Sequence, residues 1–260
     1  MTLPPLRLLI LGGTGEALSL GQALAEDARF SAIYSVAGRT STPSLPALPT
    51  RSGGFGGVAG MQSYLSKQRI ELLVDATHPF AVQITTNAVQ AAQACAIPML
   101  AIRRPAWIPS AADSWVEVPH MAAAAAAIGE TQRRVLLTIG QRDLAPFKSA
   151  AQHIYLIRSV EPLLTELTPP QHCSLLDRGP FTLAGERALL AAHDIDVLVT
   201  KNSGGSATVA KLIAARERNI QVIMVSRPVL PATHATVTTV AEALECLYAH
   251  YANRPTERGV

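Results

Sequence analysis

The chain has 260 residues, 48% hydrophobic and 16% charged, with a formal net charge of +3. It is too apolar to be disordered, and long enough for one large domain or two small ones. Its 18 prolines and 17 glycines are scattered, which excludes a collagen-like repeat. No apolar stretch reaches the ~18 residues of a membrane span. Residues 1–5 lack the charged-then-apolar layout of a signal peptide. A cytoplasmic protein without a membrane partner is expected.

In chain order, short apolar runs alternate with alanine-rich segments of helical length. Residues 6–11 read as a strand, 16–26 as a helix and 32–37 as a strand. Residues 40–50, rich in Pro, Ser and Thr, read as loop. A helix at 60–68, a strand at 70–75, a helix at 82–96 and a strand at 99–103 follow. The segment Arg104-Pro105-Ala106-Trp107-Ile108-Pro109 breaks the rhythm and marks a boundary. Beyond it, 135–139, 154–158, 195–200 and 222–226 read as strands, and 121–129, 182–193, 206–218 and 240–251 as helices. Alternation of this kind predicts parallel β-α units. The expected fold is α/β: two Rossmann-like lobes, 1–105 and 106–260, each a mainly parallel sheet flanked by helices, with a ligand cleft between them.

Cys95, Cys173 and Cys246 are far apart and odd in number, so neither a disulfide framework nor a zinc site is expected. The seven histidines show no HxH or HxxxH pairing, so no metal is expected. Of 22 basic side chains, four are lysines (Lys67, Lys148, Lys201, Lys211) and the rest arginines. Arginine forks suit carboxylates and phosphates, although a GC-rich genome also raises arginine content. No arginine run exceeds two and only 5% of residues are aromatic, which disfavours nucleic acid.

The sharpest local signal is Leu9-Ile10-Leu11-Gly12-Gly13-Thr14-Gly15-Glu16-Ala17: apolar strand, glycine turn, helix start. This is the setting of a dinucleotide site, where glycines admit a pyrophosphate and a helix N-terminus offers N–H groups. The spacing is not G-x-G-x-x-G, because Leu18 stands where the third glycine would fall. Beyond the second strand, Gly38-Arg39-Thr40 has no carboxylate to hold a ribose 2′-hydroxyl. Arg39, assisted by Thr40 and Ser41, suits a 2′-phosphate instead, so NADPH is expected over NADH. Arg51-Ser52-Gly53-Gly54-Phe55-Gly56-Gly57 reads as a mobile loop closing on a ligand. Asp75-Ala76-Thr77-His78-Pro79-Phe80 ends a strand at the edge where ligands of parallel sheets bind. Thr200-Lys201-Asn202-Ser203-Gly204-Gly205-Ser206 repeats the strand-turn-helix pattern and offers N–H groups and Lys201 to an anion.

With these motifs, together with A-G-R-T after the second strand and R-R-P-A-W at 103–107, the chain resembles the precorrin-6A reductases of cobalamin biosynthesis over nearly its whole length. The resemblance implies a two-lobed α/β fold, NADPH as hydride donor and reduction of one double bond of the precorrin-6A macrocycle to give precorrin-6B. It leaves open whether the macrocycle carries cobalt. It further suggests neighbouring pathway enzymes as partners.

The cofactor site is then expected at Gly12, Gly13, Thr14, Gly15, Arg39, Thr40, Thr77, His78 and Phe80. The anionic, many-carboxylate substrate is expected at Gly54, Phe55, Gly56, Arg103, Lys201, Asn202, Ser203, Gly204, Gly205 and Arg227, with Arg104 also at a strand end. Candidate proton donors are His78 and Lys201, with solvent favoured; His78 also suits a backbone cap before Pro79. A short-chain dehydrogenase is disfavoured, since Tyr64 is followed four on by Gln68 and Tyr155 by Ser159, not by Lys. Arg39 disfavours a methyltransferase. A non-catalytic NADP(H) sensor, and another NADPH-dependent reductase of a polycarboxylate, stay as alternatives.

Overall fold

The structure, a computed structural model, describes residues 3–38 and 42–254. In chain order the elements begin β1 (Leu6–Leu11), α1 (Gly15–Ala25), β2 (Phe30–Val36), β3 (Thr50–Ser52), α2 (Gly57–Lys67), β4 (Leu72–Asp75), α3 (Val82–Ala94) and β5 (Met99–Ile102). They continue with β6 (Trp115–Val118), α4 (Met121–Ala127), β7 (Arg134–Thr138), β8 (Ile154–Ser159), β9 (His172–Leu176), α5 (Leu183–Ala192), β10 (Val197–Lys201), α6 (Ala210–Glu217), β11 (Gln221–Val225), β12 (Ala235–Val237) and α7 (Val240–Ala252).

The chain forms two compact units. The first contains the chain up to Arg104 and again from Val229; the second is Pro105–Pro228. Each holds a six-stranded sheet, ordered β12-β5-β4-β1-β2-β3 in the first and β6-β11-β10-β7-β8-β9 in the second. Every described strand pair is parallel. Parallel strands are covered on both faces, so central ones read as continuous apolar runs. In β1 every residue except Arg7 is buried, and all of β4 and β5 are buried.

The sequence expectation of a second domain running from 106 to 260 is corrected at its end. β12 pairs in parallel with β5, with Ala235 opposite Leu100 and Val237 opposite Ile102. α7 then buries Ala243 and Leu247 in a cluster with Leu6, Leu24 and Phe30. The apolar stripe of α7 thus completes the first core, and no local feature of residues 229–254 signals that destination.

Four strands were not anticipated: β3, β6, β9 and β12. β3, at the edge of the first sheet, carries no fully buried residue and occupies the end of the expected 40–50 loop. α2 starts at Gly57 rather than at 60, because Gly56 and Gly57 take positive φ (+79° and +83°) and close the turn into the helix. α6 starts at Ala210 rather than at 206, residues 207–209 being turn.

Candidate functional site

In the first sheet the winding reverses between β1 and β4. Ligands of open parallel sheets bind outside the carboxyl ends at such a point. The turn after β1 is built tightly. A Cβ on Gly12 would lie 2.4 Å from Cζ of Tyr34, so glycine is required there by the tyrosine beneath. Gly13, at φ +107°, donates its N–H to the Tyr34 hydroxyl at 3.3 Å. Burial pushes that phenol up, keeping it neutral. Thr14 caps α1: its Oγ1 accepts from Ala17 N at 3.1 Å and donates to Ala76 O at 2.7 Å. One hydroxyl therefore ties the turn after β1 to the turn after β4. A Cβ on Gly13 or Gly15 would meet nothing within 4 Å, so this cradle is open and fits a pyrophosphate at the start of an 11-residue helix.

At the end of β4, Asp75 is fully buried. Its Oδ1 accepts from Thr77 N at 3.0 Å and Thr77 Oγ1 at 2.6 Å, and its Oδ2 from Thr85 Oγ1 at 2.7 Å. Arg103 pairs with the same carboxylate and donates to Asp75 O at 3.1 Å. That guanidinium, anticipated as a substrate fork, is engaged within its own sheet edge. Arg104 pairs with Glu16 at 2.6 Å. His78 Nδ1 accepts from Phe80 N at 3.2 Å, the backbone cap, so a neutral His78 carries its proton on Nε2. Gly12 to Gly15 and Thr77 to Phe80 thus share one sheet edge. Arg39 and Thr40 lie outside the described residues.

At the end of β3, the glycine-rich loop is braced by Arg51. Its Nη1 donates to Ser35 Oγ at 2.9 Å and Gly53 O at 3.0 Å, and its Nη2 to Gly54 O at 2.8 Å. The guanidinium stacks 3.8 Å from the Phe55 ring, which meets Tyr64 edge-on at 5.3 Å. Phe55 is packed between Arg51 and Tyr64. The loop expected to move is tied by its own arginine, a residue that flanks the glycine run and was not singled out.

In the second sheet the winding reverses between β7 and β10. Lys201, ending β10, pairs at 2.5 Å with Asp143 in the turn after β7. Asn202 exchanges two hydrogen bonds with the backbone of Trp107: Oδ1 accepts from N at 2.8 Å and Nδ2 donates to O at 2.9 Å. Trp107 Nε1 donates to Gly205 O at 3.1 Å. Arg227 donates to Asn202 O at 2.8 Å, and to Pro105 O and Ser203 O at 3.0 Å each. A Cβ on Gly204 (φ +66°) would fall 2.1 Å from Pro105 O. The turn after β10 and Arg227 hold the 105–107 segment in place.

Beneath this edge lies a charge cluster the sequence did not reveal. Arg158 and Glu186 pair at 2.5 Å, both buried, each leaving one buried polar atom without a partner: Nη2 and Oε2. Lys211, 4% exposed, donates to Thr138 Oγ1 at 3.1 Å. Burial, reinforced by Arg158 and opposed by Glu186, brings its ammonium down to about 7. Among the described residues, no group of three or more His, Cys, Asp or Glu converges as a metal site would require. None of their helices is long and apolar enough to cross a membrane.

A model of the family described as Precorrin-6x reductase CbiJ/CobK matches residues 7–248. A precorrin-6A reductase of Sinorhizobium sp. is 48% identical over 238 residues, covering 92% of this chain and 91% of the relative. A cobalt-precorrin-6A reductase of Priestia megaterium is 30% identical over 178 residues, covering 65% of this chain and 69% of the relative. A solved structure titled CobK precorrin-6A reductase superposes with a TM-score of 0.90 at 43% identity, covering 98% of this chain and 100% of that one. With the family match spanning both units and both glycine-bearing sheet edges, the chain belongs to the precorrin-6x reductase CbiJ/CobK family.

Proposed function

We propose that this chain is an NADPH-dependent precorrin-6A reductase of cobalamin biosynthesis, reducing one double bond of the macrocycle to give precorrin-6B. The observation that carries the reading is the open glycine turn at the β1/β4 reversal, capped by Thr14, in a chain 48% identical to a precorrin-6A reductase. Gly12 to Gly15 and the Thr77–Phe80 turn hold the cofactor, with Arg39 and Thr40 at its ribose phosphate. NADPH, when bound, supplies the hydride.

The cobalt-free macrocycle is the preferred substrate. Similarity to the Sinorhizobium protein is higher and runs over far more of the chain than similarity to the cobalt-precorrin reductase. Lys201 takes a substrate carboxylate, exchanging it for Asp143. The proton comes from solvent: His78 Nδ1 already accepts a backbone N–H, and Lys201 is held in an ion pair.

The test is loss of NADPH absorbance with precorrin-6A, repeated with NADH and with cobalt-precorrin-6A. Turnover with NADPH and the cobalt-free substrate is expected. NADPH binding without oxidation would establish a sensor instead. Lys201→Ala is expected to raise KM for the macrocycle while leaving the Kd of NADPH unchanged. Loss of NADPH binding in that variant, with substrate absent, would move the Lys201 turn into the cofactor site.

A further inference from the structure

β3 lies beside β2, with Ser35 opposite Arg51 and Val36 opposite Ser52. Arg51 therefore stands at the carboxyl edge on the β2 side of the glycine turn. In a dinucleotide fold this is the side that meets the adenosine ribose. The end of β2 brings no acid there: Ser35, Val36, Ala37 and Gly38 are uncharged. Ser35 instead accepts a hydrogen bond from Arg51.

The guanidinium is immobilised before any ligand arrives. Stacking on Phe55 and bonds to Ser35, Gly53 and Gly54 fix its plane. Those bonds use both Nη1 protons and one Nη2 proton. Among the described residues Nε–H makes no hydrogen bond, and Nη2 beside it makes one, to Gly54 O. These two form one of the forks with which arginine takes two oxygens of a phosphate. A pre-positioned fork loses little side-chain entropy on binding.

We propose that Arg51 reads the phosphate on the ribose 2′-oxygen of the cofactor and so is a specificity-determining residue for NADPH over NADH. The inference rests on the NADPH reading given above. It also gives a purpose to the glycine run: carbonyls of Gly53 and Gly54 aim the arginine, and Phe55 supplies the stacking face.

The experiment uses the full chain and two probes, 2′,5′-ADP and 5′-ADP, which differ in the 2′-phosphate. Calorimetry is run on the unmutated protein, on Arg51→Lys, which keeps charge but loses the fork, and on Arg51→Met. Charge-assisted bonds of this kind predict about a ten- to hundredfold weakening of 2′,5′-ADP in both variants. Affinity for 5′-ADP is expected to stay within about twofold, a difference too small to reflect a lost hydrogen bond. Equal weakening of both probes, or of neither, overturns the proposal; the first outcome would make Arg51 only a loop brace. An unmutated protein that binds both probes equally would instead overturn the NADPH reading itself.

A second measurement needs no variant. Modification of arginines by phenylglyoxal, read by peptide mass spectrometry, should be blocked at Arg51 by 2′,5′-ADP and not by 5′-ADP. Modification of Arg51 that is equal under both probes overturns the proposal.

Discussion

Replacing Lys211 by methionine should stabilise the second unit at neutral pH. The lysine is enclosed by Thr138, Arg158, Glu186 and the Trp107 ring, 5.7 Å away. Its amine falls from an ordinary 10.5 to about 7 on folding. A gap of about 3.5 pH units corresponds to roughly 5 kcal/mol, of which about 4 is expressed at pH 7. Against this stands one hydrogen bond to Thr138, about 1 kcal/mol. Thr138 Oγ1 retains its bond to Val199 O at 3.3 Å. Methionine fills the stem's volume with little repacking. The expected net gain is about 2–3 kcal/mol at pH 7.

The sign of the pH dependence is set by the depressed value. Between about 7 and 10.5 the unfolded chain holds one more proton than the folded one, so stability rises with pH across that window and is flat below it. Lys211→Met should lose that rise. Both tryptophans, Trp107 and Trp115, belong to the second unit, so urea unfolding followed by tryptophan fluorescence reports this unit directly. A variant no more stable than the parent at pH 7, or one with the parent's slope between pH 7.5 and about 9.5, refutes the reasoning.

Three further outcomes are expected. Thr14→Val removes the cap of α1 and the bond to Ala76, so it should lower stability of the first unit by about 2 kcal/mol and weaken NADPH binding, measured by urea unfolding and cofactor fluorescence. Arg103→Met leaves the buried Asp75 carboxylate without its cation, for a loss of about 3–5 kcal/mol in chemical denaturation. His153 is fully buried, and burial holds its imidazole below the usual 6.5; the unfolded chain then takes up a proton first, so stability falls as pH drops below 6.5. In His153→Phe, denaturation midpoints followed as pH drops below 6.5 should lose that part of the fall.

The central strands were legible because burial on both faces leaves nothing but apolar residues to read, as in β1 and β4. The glycine turns were legible because only an abrupt strand-to-helix change needs them. Arg103 and Arg227, expected at the substrate, also bind the chain's own groups, and the sequence hides this for one physical reason. An arginine at a strand's carboxyl end looks the same in sequence whether its fork meets a ligand or the molecule's own groups. Asp75, 28 residues before Arg103, and Pro105, 122 residues before Arg227, are internal partners that only the fold brings close. Lys211 sits in α6 with Arg216 and Glu217, a setting that suggests a solvated amine rather than a buried one. Arg51 carried a signal, since it flanks the glycine run, but its value depends on stacking with Phe55 that only the folded loop displays.

Five strands of each sheet share an order, β5-β4-β1-β2-β3 and β11-β10-β7-β8-β9, with the sixth coming last in the first unit (β12) and first in the second (β6), and each sheet joins the turns at its reversal by one polar side chain: Thr14 to Ala76 in the first, Lys201 to Asp143 in the second. Topology alone therefore does not decide which edge takes the dinucleotide. The local structure entered at the end of β1 and of β7 differs, and the proposed cofactor site rests on that difference. After β1 the chain enters an 11-residue helix whose leading N–H groups face an open glycine surface. After β7 it enters a three-residue 3-10 turn, Gln141–Asp143, too short to present such an end. The second edge instead carries fixed charge: Lys201, Asp143 and, in the turn, the exposed Arg142. Charges of that kind suit carboxylates spread over a large substrate better than a pyrophosphate approached through backbone N–H groups. The proposed division of labour, cofactor on the first sheet and polyanion on the second, therefore rests on the local structure each turn leads into rather than on topology.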